Sequence, residues 1–151
     1  LQEFANAANQ FVKINRDIKL CGHNIKEFDV PYVCRRTLIN GLPLANLLQL
    51  EGKKPWEVAH IDTMNLWKFG DVKSWTSLDL LAAVFSIPSP KSDMSGSMVS
   101  GTFWKDKAYD RIAAYCQSDV LTTMQLVLRY AGFPLVENNQ IEYKTATTAF
   151  I

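Results

Sequence analysis

The chain has 151 residues, 48% apolar and 21% charged, with a formal net charge of +1. That balance excludes a disordered polar chain, and the length suits one domain able to bury roughly two-thirds of its unfolded surface. It also excludes a global basic field, so nucleic-acid binding must rest on local Lys/Arg groups or on a bound metal.

The predicted elements, in chain order, begin with an amphipathic helix from Leu1 to Asn15, with Leu1, Phe4, Ala5, Ala8, Phe11 and Val12 at helical spacing. Alternating residues from Asp17 to Asn24 predict a strand. A helix then runs from Asp29 to Asn40, with Asp29 as N-cap, Pro31 in its first turn and Gly41 after its end. Pro43 to Leu50 reads as a short helical turn and Gly52 to Pro55 as a basic loop. Glu57 to Asp62 reads as a second strand, and Thr63 to Phe69 as a helix stopped at Gly70, with Asp62 as its structural cap.

Ser77 to Phe85 predicts a compact helix ended by Pro88 and Pro90, followed by a polar loop from Lys91 to Ser97 and a short helix from Ser97 to Lys105. The longest helix runs from Asp106 to Ala131, with an apolar stripe of Ile112, Cys116, Val120, Met124 and Val127. The expected organisation is a domain over residues 1–136 and a polar tail over 137–151. Two strands are a poor core for so many helices, so such a domain is expected to need more strands than the chain carries.

Cys21, Cys34 and Cys116 are odd in number and form no CxxC, which argues against a disulfide framework or a thiolate zinc site. They are expected to be buried reduced thiols. No stretch approaches ~20 apolar residues and no signal peptide is visible, so the expectation is no membrane span and a cytoplasmic location.

Two constellations carry possible chemistry. His23-Asn24-Ile25-Lys26-Glu27-Phe28-Asp29 follows a strand, and open α/β sheets bind ligands beyond their strands' carboxyl ends. Asp29 could coordinate a hard cation. In the second, Tyr115 and Asp119 stand at i and i+4 and share a helix face, where a carboxylate beside an apolar stripe needs a partner. Four tryptophans, Trp56, Trp67, Trp75 and Trp104, could stack bases but are expected to pack in the core or in grooves. Asp79, Asp106 and Asp110 read as helix-start charges or solvated residues.

Asn24-x-x-x-Phe28-Asp29 resembles the second exonuclease motif of the DnaQ-like group within the ribonuclease-H-like fold. Tyr115-x-x-x-Asp119 resembles the third, in its tyrosine-bearing (DEDDy) form. Gly22-His23-Asn24-Ile25, Asp62-Thr63-Met64, Leu66 to Asp71 and Tyr115 to Val120 resemble bacterial stand-alone proteins related to the exonuclease domain of family B DNA polymerases. The resemblance covers about Asp17 to Tyr130.

It implies an α/β fold and a 3′–5′ exonuclease using two Mg²⁺ or Mn²⁺ ions held by four acids. Asp29 and Asp119 would be two of those acids, and Tyr115 would orient or help deprotonate the attacking water. His23, Asn24 and Phe28 would hold the terminal nucleotide of single-stranded DNA or RNA, although for Phe28 a core role is equally compatible. Lys91 is the best candidate for a phosphate contact.

The chain departs from the family in one respect: no Asp-x-Glu occurs in it. The opening helix resembles the one that follows the family's first three strands. Those strands and two metal ligands are therefore expected to be missing, leaving this chain inactive or weakly active. An exposed sheet edge could pair with a second copy. A non-catalytic binding module of the same fold and an exoribonuclease are the competing readings.

Overall fold

The computed structural model describes residues 1–88 and 94–143. The chain forms two compact units, Leu1–Ser74 and Trp75–Ile151. Among the described residues no helix is long and apolar enough to cross a membrane.

The first unit opens with α1 (Gln2–Ile14). Of its apolar positions only Ala5 and Ala8 are buried, in a cluster with Val30, Ala45 and Leu48, while Phe4 and Phe11 remain exposed. Asn9 Oδ1 accepts the Asn46 N–H at 3.0 Å, beside the 3₁₀ turn Asn46–Leu48. The two predicted strands shrink to β1 (Cys21–Gly22) and β2 (Ile61–Asp62), paired in parallel as Cys21 with Ile61 and Gly22 with Asp62. Alternation was present over longer stretches, but a strand persists only where a neighbour accepts its ladder, and each has just the other within the described residues.

Helix α2 (Asp29–Ile39) lies between them in sequence. It closes on a Schellman motif: the Gly41 N–H donates to the Leu38 carbonyl at 2.9 Å and the Leu42 N–H to Thr37 at 3.1 Å. Gly41 supplies the left-handed residue at φ 67°. Helix α3 (Thr63–Lys68) starts directly from β2 and stops at left-handed Phe69, φ 44°.

The second unit begins with α4 (Leu78–Val84), capped by Ser77 Oγ, which accepts the Leu80 N–H at 3.2 Å. Its end is set by Ser86 at φ 51°, whose N–H reaches the Ala83 carbonyl while the Ile87 N–H reaches Ala82, before the expected proline stop at Pro88. The predicted helix near Ser97 is a mixed segment: a 3₁₀ turn Gly96–Met98, α5 (Val99–Gly101) and a π-turn Thr102–Asp106. Lys107 at φ 52° interrupts it, so α6 (Tyr109–Tyr130) starts later than Asp106.

Helix α6 corrects the expected apolar stripe. Its buried residues are Thr122, Thr123, Gln125 and Leu126, whereas Val120 is 70% exposed and Cys116 and Met124 are also exposed. Leu126 and, on α4, Leu81 are both fully buried, and Phe85 meets Tyr130 edge-on at 5.5 Å. The helical period was read correctly; which face is covered depends on partners that a period does not name.

Gln125 is buried and binds the Val136 backbone twice, donating from Nε2 to its carbonyl at 2.7 Å and accepting its N–H on Oε1 at 2.9 Å. Beyond it lies the 3₁₀ turn Asn138–Gln140.

Candidate active site

The loop after β1 is shaped by a close approach. A Cβ on Gly22 would lie 2.8 Å from Ile25 Cβ, so only hydrogen fits there. Ile25 in turn packs against the core cluster. Asn24 adopts φ 59°, a left-handed conformation that Asn tolerates better than most residues. The chain then turns, with the Phe28 N–H donating to the Asn24 carbonyl at 3.1 Å and the Val30 N–H to Ile25 at 3.0 Å.

Asp62 holds this loop in place. Its side chain is 3% exposed. Oδ1 accepts the N–H groups of Met64 (3.1 Å) and Asn65 (3.3 Å), which is the cap expected for α3. The same oxygen accepts the Asn24 N–H at 3.1 Å, and Oδ2 accepts the Lys26 N–H at 3.1 Å. One carboxylate thus fastens the loop to the start of α3. This second role was not legible in the sequence, because loop residues 36 and 38 positions away carry no local signal.

Around this anchor, His23 Nδ1 lies 2.9 Å from Thr63 Oγ1, whose hydroxyl donates to the Gly22 carbonyl at 3.3 Å. That chain is satisfied when Nδ1 carries the proton. His23 is therefore tied to the β2–α3 junction. Lys26 Nζ donates to the Val58 carbonyl at 2.7 Å, and Glu27 lies 3.7 Å from Lys68.

Asp29 is the first residue of α2, not its N-cap; Phe28 holds the cap position and makes no side-chain cap bond. Partial burial pushes the Asp29 carboxyl up from its ordinary range. Its own backbone N–H pulls it down, and the nearby Asp62 charge raises it further. The Phe28 ring is 66% exposed, which rules out the core alternative, and lies parallel to Tyr32 with centroids 6.5 Å apart.

In the second unit, Tyr115 and Asp119 interact across one turn of α6 as their spacing requires. Burial, the Asp119 charge and a hydrogen bond from the phenol to that carboxylate push the Tyr115 pKa up to about 12. The phenol is therefore protonated at neutral pH and donates to the Asp119 carboxylate. Asp79, in the first turn of α4, is close enough to raise it further, a proximity the sequence did not reveal. Gly96 also faces the phenol: a Cβ there would lie 3.9 Å from its oxygen.

Other expectations fare differently. Lys91 lies outside the described residues. Trp56, Trp75 and Trp104 are exposed, against the expectation of packing. Cys21 and Cys116 are exposed and Cys34 half-buried, against that of three buried thiols.

The residues as described do not fit a Mg²⁺ or Mn²⁺ site. Among them no group of three or more His, Cys, Asp or Glu side chains is placed to hold a metal. Such ions need several anionic partners. The carboxylate near Asp29 is Asp62, whose two oxygens are already engaged by four N–H donors.

No significant match was found among curated proteins or among solved structures. One family model matches residues 3–148, nearly the whole chain, and its description is a predicted 3′–5′ exonuclease related to the exonuclease domain of PolB. The chain therefore belongs to this family of predicted 3′–5′ exonucleases related to the PolB exonuclease domain.

Proposed function

We propose that this chain supplies the second and third motifs of a ribonuclease-H-like, metal-dependent 3′–5′ exonuclease that shortens single-stranded DNA. The observation that carries the reading is the Tyr115–Asp119 pair, a phenol hydrogen-bonded to a carboxylate one turn away, in a chain whose family is described as predicted 3′–5′ exonucleases. In this reading the Tyr115 phenol, its own hydrogen bond donated to Asp119, accepts a hydrogen bond from the attacking water and so orients it. Asp29 and Asp119 supply negative charge, and His23, Asn24 and Phe28 hold the terminal nucleotide. Phosphoryl chemistry asks mainly for positioning and charge neutralisation, which such groups provide.

Cleavage in this reading needs two further acids. The 151 residues contain no Asp-x-Glu, and two carboxylates are too few for two divalent ions, so the chain by itself is proposed to be inactive or nearly so. The test is Mn²⁺-dependent degradation of 5′-labelled single-stranded DNA, comparing the 151-residue chain with one carrying the in-frame codons upstream of Leu1. The expected result is a ladder only with the extended chain, abolished by Asp29→Ala and by Asp119→Ala. Equal cleavage by the short chain would overturn the need for further acids.

A second reading, a binding module without catalysis, is favoured by the missing Asp-x-Glu alone. It predicts that both chains bind the strand and neither cuts it. Parallel trials with an RNA of the same sequence separate the exoribonuclease alternative. In either reading the two-stranded sheet β1–β2 offers open edges to a second copy, which sizing by light scattering would detect.

A further inference from the structure

Helix α2 has two dissimilar faces. Val30 and Thr37 are buried in the first unit. On the solvent side, Phe28, Tyr32 and Arg36 follow one another at four-residue spacing, with Arg35 alongside, and all four are exposed. Tyr32 is 58% exposed, and its ring lies within 8° of parallel to Phe28.

Two large aromatic rings held parallel in water forgo the burial that normally stabilises them. The rings lie nearly parallel with centroids 6.5 Å apart, and neighbouring nucleotides in one strand are ~3.4 Å apart, so the pair presents flat faces on the scale of a base step. From Phe28 to Arg36 the helix advances about 12 Å, at ~1.5 Å per residue, or roughly three to four nucleotides at that spacing. The only acid in α2 is Asp29, at the end where the chemistry is proposed; past Tyr32 both charged residues are arginines.

We propose that this face is a track for the single strand leading into the site. The penultimate base stacks on Tyr32, next to the terminal nucleotide held at Phe28, and the phosphates on its 5′ side pair with Arg35 and Arg36. The inference rests on the proposed function and extends it, because it assigns a strand-binding role to Tyr32, Arg35 and Arg36. Stacking is indifferent to base identity, so the track discriminates by length and single-strandedness instead of sequence.

The test uses short DNA strands with 2-aminopurine at the penultimate position, in metal-free buffer so that nothing is cut. The native protein is expected to quench the probe and to bind more tightly as the strand grows from one to about four nucleotides. Tyr32→Ala is expected to abolish the quenching and weaken binding about ten-fold, within the range for loss of one base stack. Tyr32→Phe should restore both. The double variant Arg35→Gln/Arg36→Gln should flatten the salt dependence by about 1.4 log units per log unit of salt, the ~0.7 expected for each phosphate on a single strand taken twice.

Quenching and affinity unchanged in Tyr32→Ala, with native-like binding by the unmutated protein, would overturn the track and leave the exonuclease reading standing. Absence of any strand binding by the unmutated protein would overturn both. Tyr32 is exposed, so its substitution leaves the fold intact, and the arginine variant supplies an independent measurement.

Discussion

Asp29 and Asp119, the acidic residues of the two sequence motifs, are positioned by opposite means, each within its own unit. Asp119 sits in mid-helix, and its partner Tyr115 lies one turn away on the same rigid element. Asp29 stands at the end of a loop, and its place depends on Asp62, a residue that belongs to neither motif and is distant in sequence. A helix carries its own geometry through local hydrogen bonds; a loop borrows it. The comparison teaches that the Asp29 half should be fragile to changes outside the motif, and the Asp119 half should not.

The largest effect that would sharpen this contrast is at Asp62. Asp62→Ala orphans four backbone N–H groups at a buried position, and a loss of about 3–5 kcal/mol in urea unfolding is expected. Asp62→Asn keeps the Oδ1 bonds and should cost less. Hydrogen exchange should show the Lys26 amide losing protection in both variants and the Asn24 amide in Asp62→Ala alone, while α6 keeps its own. Unchanged stability in Asp62→Ala would break the comparison outright.

The next test concerns the local pair. A spectroscopic titration should show the Tyr115 phenol ionising near 12, and Asp119→Asn should lower it, while burial, the largest cause, and Asp79 keep it raised. Tyr130, raised to about 12 by burial alone, is the internal control and should not move. A Tyr115 titration indifferent to Asp119 would mean that the helix does not couple them.

The smallest expected effect is at Asp29. Its carboxyl is raised in the fold, so the folded state binds the proton more tightly than the unfolded chain does. Ionisation is therefore a penalty, present in full above the folded pKa, relieved as pH falls through it, and gone below the ordinary value of 3.8. Asp29→Asn should raise Tm slightly at neutral pH, with the gain vanishing in acid. A loss of stability at neutral pH would show that the carboxylate contributes to the fold and is not held against it.

Much of this was legible from local signals. Gly41 past the end of α2, Asp62 ahead of α3 and the four-residue spacing of Tyr115 and Asp119 each act within a few residues, and each does what its chemistry predicts. What was not legible is non-local. Alternation along Asp17 to Asn24 could not reveal that only Cys21 and Gly22 would find a ladder partner. The stripe through Val120 and Met124 could not reveal that Thr122 and Leu126 would be the buried residues of α6, which packs with α4. Lys107 and Ser86 took left-handed conformations that their residue types do not advertise, shifting one helix start and one helix end.

Asn24 has a consequence for how such a site can change over time. Its backbone angle of φ 59° is closed to β-branched residues and open to glycine. Neutral drift at this position is therefore channelled: a glycine there would preserve the loop while deleting the amide. Asn24→Gly is accordingly the quiet route by which a lineage could keep the fold and shed the nucleotide contact proposed for this amide, and a Val or Ile at position 24 would mark a lineage in which the loop itself has been rebuilt.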